Sequence, residues 1–139
     1  MTREDIMRKK SNDDDAYKKE CLAILTRHIG EEKTIGMGEL YERVFKRRYN
    51  NRINSTRRLR NLITDLREEG VAIGSNTKPN TGGYHLIRSP SELEEYVNRN
   101  IAIAKKKLYM ISRLKKVSLP EILGQLSIES INMEGKDVN

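Results

Sequence analysis

Residues 55–70 read STRRLRNLITDLREEG, and residues 71–87 continue VAIGSNTKPNTGGYHLI. In the first segment Leu59, Leu62, Ile63 and Leu66 fall at i, i+3, i+4 and i+7, so they share one face of a helix. Ser55 is expected to cap its start, because its hydroxyl accepts an orphan amide of the first turn. Gly70 is expected to end it, because glycine enters the left-handed region without a Cβ clash. The second segment predicts a hairpin. Val71–Ile73 and Tyr84–Ile87 are short apolar strands, and the turn residues Gly74, Ser75, Asn76, Pro79, Asn80, Gly82 and Gly83 lie between them.

The face of the helix away from the leucines carries the chemistry. At about 100° per residue, Arg57, Asn61 and Thr64 point outward, with Arg58 and Arg60 on the flanks. Arginine and asparagine make bidentate contacts to guanine and adenine edges in the major groove of DNA. The plain alternative is a solvated helix face, but such a face usually mixes both signs. Between Arg43 and Arg67 there are nine cations (Arg43, Lys46, Arg47, Arg48, Arg52, Arg57, Arg58, Arg60 and Arg67) and one acid, Asp65. That is the electrostatic footprint of a nucleic-acid partner. Lys46, Arg47, Arg48 and Arg52 surround the link Tyr49–Asn54, where phosphate contacts position a protein without reading bases.

Outward from this stretch, 139 residues allow one domain with appendages. The net charge of +7 calls for an anionic partner. Tryptophan is absent and aromatics are few, so the core is expected to be aliphatic and without a large enclosed pocket. Cys21 is the only cysteine and there are two histidines, too few for a disulfide or a zinc site, which suits a reducing cytoplasm. No apolar run reaches the ~20 residues a membrane span needs. Residues 1–14 are read as a flexible arm without apolar period. A first helix is expected over about Ala16–Ile29, with Tyr17, Cys21, Ile24, Leu25 and His28 on one face and Gly30 as its stop. Thr34 and Ile35 are candidates for a third strand. A second helix is expected over about Gly38–Arg48, burying Leu40, Tyr41, Val44 and Phe45.

After the hairpin, Ser89, Pro90 and Glu92 form a helix-start signal with a capping box. The helix should run from Pro90 to about Lys116, within a segment taken as 89–117. Leu93, Val97, Ile101, Ala104, Leu108 and Ile111 make a near-heptad stripe, so residues 93–111 are the candidate homodimer surface. Such pairing would serve two DNA half-sites about one helical turn or a multiple apart. From Arg99 to Lys116 there are seven cations and no acid, a second candidate phosphate surface. Residues 118–139 are read as a short helix, Leu119–Gln125, with a frayed tail; Leu119–Leu126 is the candidate contact for a protein partner.

LREEGVAIGS (residues 66–75) with GGYHL (residues 82–86) resembles the recognition-helix end and wing of a bacterial winged-helix module. It is similar to the DNA-binding domain of the biotin-ligase repressor and of WYL-domain regulators, and small bacteriophage winged-helix proteins share the pattern. The resemblance covers roughly residues 16–88. It implies a winged helix-turn-helix, mainly α with a small β-hairpin, occupying residues 15–88. Its third helix would enter the major groove, and by position Ser55, Thr56, Arg57, Arg58, Arg60 and Asn61 match the groove-facing half of that helix. The chain departs from the pattern of those modules in a longer, more basic link before the third helix, and in carrying no ligase or effector-sensing domain. Neither activity is implied.

The sequence shows no P-loop and no dinucleotide fingerprint. The acids at 13–15 and 92–95 sit at helix starts, so no enzyme, cofactor or metal is expected. The expectation is sequence-specific binding of double-stranded DNA, in transcription regulation or in phage or plasmid DNA replication. The expected contact set is Arg47, Arg48, Arg52, Ser55, Thr56, Arg57, Arg58, Arg60, Asn61 and Thr64, with Lys78 and Tyr84 from the hairpin. The alternative is a winged-helix adaptor that recruits a replication protein or another partner.

Overall fold

The computed structural model describes residues 1–79 and 82–137, with side chains as far as residue 128. Asn80 and Thr81, read as part of the hairpin turn, and Val138 and Asn139 of the tail lie outside the described residues. The chain is mainly helical, with one small antiparallel sheet of three strands in the order β1-β3-β2. It divides into two units, Met1–Leu93 and Glu94–Asn139.

In the first unit, α1 (Arg3–Leu25) precedes a 3₁₀ turn at Glu31–Lys33 and β1 (Ile35–Gly36). α2 (Met37–Phe45), α3 (Arg52–Glu68), β2 (Ile73–Asn76) and β3 (Gly83–Leu86) follow. The core takes up the apolar faces expected of the three helices and adds residues of the sheet. Cys21 and Leu25 of α1 meet Leu40, Tyr41, Val44 and Phe45 of α2, and Leu59, Leu62, Ile63 and Leu66 of α3. Ile35, Ile73 and Tyr84 close it from the sheet. Each buried Val, Leu, Ile or Phe side chain contributes roughly 1.5–3 kcal/mol, and ten of the thirteen buried positions are of these types, which gives α1–α3 and the sheet a shared reason to fold.

Local chemistry moves several boundaries. α1 begins at Arg3 and not near Ala16, because Thr2 and Asp5 form a capping box. The stretch read as an irregular arm is therefore helical, although residues 1–16 are all exposed. α3 begins at Arg52, because the Asn51 side chain accepts from the Asn54 amide at 3.2 Å. Ser55 is thus inside the helix and not its cap. The link from α2 is residues 46–51, entered through Lys46 in the left-handed conformation. The α3 stop is as expected. Gly70 has φ +97°, its amide donates to Arg67 O, and the Val71 amide donates to Leu66 O, which satisfies the last carbonyls. Val71 is consumed by that motif, so β2 starts at Ile73.

Ile73 pairs with Leu86, Ser75 with Tyr84 and Asn76 with Gly83, and β1 adds Ile35 opposite Tyr84 and Gly36 opposite Gly83. Gly83 (φ +155°) lets β1 approach, since a Cβ there would overlap the Ile35 carbonyl oxygen. On the other side of the sheet the His85 ring lies over Gly74 and is almost wholly buried. Its Nδ1 is 3.3 Å from Thr34 Oγ1 and its Nε2 is 3.6 Å from Glu92 Oε1.

α4 (Pro90–Lys115) starts with Ser89 Oγ accepting from the Glu92 amide. Glu92 reaches back to the Arg88 amide, one residue before the cap. Lys116, with φ +56°, ends the helix. α5 begins at Leu119 and continues to Asp137, well past the predicted end near Gln125; Ser118 caps it through the Glu121 amide. No helix of the described residues is long and apolar enough to cross a membrane.

Candidate nucleic-acid interface

Burial divides the twelve expected contact residues into two groups. On α3, Ser55 joins the leucines in the core and is 5 % exposed. One turn of extra helix at its N-terminal side places it on the inward face, so it is withdrawn from any surface contact. Tyr84 is also buried, in the core cluster, because its strand alternation turns it inward, with the Arg67 guanidinium 6.0 Å from the ring centre. Thr56 is half-buried, and its hydroxyl is hydrogen-bonded to the Tyr49 hydroxyl.

Arg58 is half-buried and built into the fold. Its guanidinium lies 4.2 Å from the Phe45 ring centre and 4.9 Å from that of Tyr17. Tyr17, Phe45 and Tyr41 themselves form a tilted ring cluster with 4.8 Å spacings. The arginine closes this cluster by cation–π attraction and by its aliphatic stem. Other cations are similarly engaged. Arg43 pairs with Glu39 at 2.7 Å, Lys18 with Glu69 at 2.6 Å, and Arg88 with Glu32. Arg67 donates from Nε to the Ile73 carbonyl at 2.9 Å. The Glu69 hydrogen bond raises the Lys18 ammonium above its ordinary pKa, and the Thr2 hydroxyl lowers the Asp5 carboxyl.

The remaining candidates are exposed. Arg57, Arg60, Asn61 and Thr64 lie on the outward face of α3. Arg47 and Arg48 stand in the link, and Arg52 is the first residue of α3. Lys78 is exposed in the hairpin loop, where its amide donates to Asn76 Oδ1 at 2.9 Å. Among the described residues none of Arg47, Arg48, Arg52, Arg57, Arg60 and Lys78 has an ion-pair partner. The first turn of α3 carries no acid, so the positive end of its dipole is left unneutralised. Asp65, Glu68 and Glu69 are all at the opposite end. The outward surface of α3 therefore runs from a cationic start to an acidic finish.

Asn54, expected in the link, is an exposed residue of α3. Once the helix starts at Arg52, Asn54 falls two turns before Asn61 on the same side. The signal was the pair Asn50-Asn51, the best cap candidates ahead of Ser55. Asn54, Arg57, Arg58, Asn61 and Asp65 also border a groove of about 880 Å³, whose other wall is Ile6, Lys9, Lys10, Asp13, Asp14 and Tyr17 of α1. Its charged lining is nearly balanced, so it is no anion cage. Among the described residues no group of three or more His, Cys, Asp or Glu side chains is placed to hold a metal ion. Burial pushes the Cys21 thiol up to about 12, which keeps it protonated and unreactive.

Comparison of the chain with protein-family models, with characterised proteins and with solved structures finds no match.

Proposed function

We propose that this chain is a winged-helix protein that binds double-stranded DNA sequence-specifically, with α3 as the recognition helix and the β2–β3 hairpin as the wing. The observation that carries the reading is the outward face of α3: exposed Arg57, Arg60, Asn61 and Thr64, opposite the buried leucines, with cations that no acid of the described residues engages. Three core helices, a three-stranded sheet and a hairpin directly after α3 support the same reading. α3 has 17 residues, ~25 Å of helix, and a B-DNA major groove is wide enough to admit it. In this reading Arg57, Arg60, Asn61 and Thr64 meet base edges. Arg47, Arg48 and Arg52 meet phosphates beside the start of α3, and Lys78 meets the backbone next to the wing. The process served is transcription regulation or phage or plasmid DNA replication.

Selection of bound sequences from a random duplex pool, followed by affinity measurements across salt, tests this. Arg57→Ala and Asn61→Ala should each cost ~1–3 kcal/mol at the selected site and relax preference at one base pair. Lys78→Ala should weaken binding to all sequences alike and reduce the slope of log K against log salt by about 0.9. Unchanged preference in both α3 variants would remove the assignment of base reading to this face. The second reading, an adaptor, draws on the exposed Leu123, Leu126 and Ile128 of α5. A partner bound there through apolar contacts would be nearly indifferent to salt.

A further inference from the structure

The second unit has almost no core of its own. Among its described residues only Ser112 and Ile122 are buried, while apolar side chains line the length of α4. Val97, Ile101, Ala104, Leu108 and Ile111 repeat at intervals of 4, 3, 4 and 3, the a/d seam of a coiled coil. Arg99, Lys106 and Arg113 recur every seven residues opposite that seam and are exposed. α4 thus has an apolar seam with a line of cations opposite it, and Lys105 and Lys107 stand on the flanks of the seam. Near its C-terminal end Ser112 is covered, which leaves the other flank of the seam open: Ile111 is 41 % exposed and Leu114 76 %. An apolar stripe of this length is a liability in a chain that stays single.

We infer that α4 pairs with α4 of a second copy of this chain, antiparallel and two-fold symmetric. Self-matching periodicity identifies the partner as another copy, and charge fixes the direction. The first two turns of α4 hold Glu92, Glu94 and Glu95, whereas Lys105 to Lys116 includes six cations and no acid. Parallel helices would bring the two cationic halves together. Antiparallel helices set each cationic half beside the partner's acidic start and oppose the helix dipoles. In this register Ile101 packs on the partner's Ala104, and Val97 on the partner's Leu108. Leu93 covers the partner's Leu114, and Asn98 lies beside the partner's Lys105. Two helices meeting over ~30 Å bury on the order of 600 Å² each, the lower end for a specific interface. This pairing does not depend on the DNA-binding reading.

Sedimentation of the full chain from ~1 to ~100 µM should show a monomer–dimer equilibrium. Leu108→Glu should abolish the dimer while leaving the circular dichroism of the monomer unchanged. Orientation is read by disulfide exchange, in which the buried Cys21 takes no part. Asn98→Cys chains mixed with Lys105→Cys chains should form the mixed disulfide. Asn100→Cys chains mixed with Lys105→Cys chains should not, because those positions meet only in a parallel pair. A monomer throughout, a dimer that survives Leu108→Glu, an Asn100→Cys disulfide with Lys105→Cys, or a dimer that forms neither disulfide would each overturn the proposal.

Discussion

α3 and α4 are written in the same alphabet. Both are amphipathic, rich in leucine or isoleucine and strongly cationic. Yet every apolar residue of the α3 stripe is buried, whereas the one buried residue of α4 is a serine. The difference lies in what surrounds them. α3 is met by α1, α2 and the sheet, which take up Leu59, Leu62, Ile63 and Leu66. α4 leaves Val97, Ile101 and Ile111 open. Periodicity makes a helix and chooses its face; neighbours decide whether that face becomes core or interface.

The sharpest way to break the comparison is to truncate one residue from each stripe. Leu59→Ala removes a fully buried side chain and should cost ~2–5 kcal/mol, read from the urea midpoint. Ile101→Ala should change the unfolding free energy by under ~0.5 kcal/mol in dilute solution. It should lower Tm only at concentrations that sustain association. If the two variants cost the same at every concentration, α4 is packed within its own chain and the contrast fails.

A smaller contrast separates two arginines two residues apart on α3. Arg58→Ala loses its stacking on Phe45 and Tyr17 and should destabilise the fold by ~1–2 kcal/mol. Arg60→Ala should leave stability within ~0.5 kcal/mol and weaken DNA binding instead. Thermal melts and duplex titrations of both variants would expose a reversed assignment.

The smallest effect concerns the sealed core around Cys21. Its thiol ionises at about 12 in the folded chain against an ordinary 9.0. The folded state therefore holds the proton longer than the unfolded state does. Stability should be independent of this group below pH 9 and should fall by on the order of 1 kcal/mol between pH 9 and pH 10. A thiol reagent at pH 8 should label the native chain slowly and the urea-unfolded chain at once. Rapid native labelling would mean that α1 opens readily.

The core was legible because period and punctuation agree. Leu59, Leu62, Ile63, Leu66 and Gly70 state both the face and the stop of α3, and the Gly-Gly-Tyr run marks the returning strand. The start of α3 was not legible, because Arg52-Ile53-Asn54 has no apolar period to announce a further turn; only the Asn51 cap fixes it. The start of α1 was hidden in the same way, its capping box standing before a wholly polar stretch. In the candidate site the outward positions Arg57, Arg60, Asn61 and Thr64 followed from helical geometry alone. Arg58 did not, since the rings it covers come from α1 and α2, far away in sequence. The burial of Tyr84 was not legible, because alternation along a strand separates two faces without saying which one is inside.

The exposed first half of α1 has a consequence for electrostatics. Residues 1–15 contain five acids and four cations, and none of them contributes to the core. A protease that cut ahead of Tyr17 would leave every core residue in place and a remainder that is more positive by one charge. Asp13 and Asp14, which line the groove beside Arg57 and Asn61, would go with the fragment. Lys9 and Lys10 line the same groove and would leave with them, so the cut would change the electrostatics of the face of α3 by little more than that one net charge, while uncovering Arg57 and Asn61 on the side where α1 now stands.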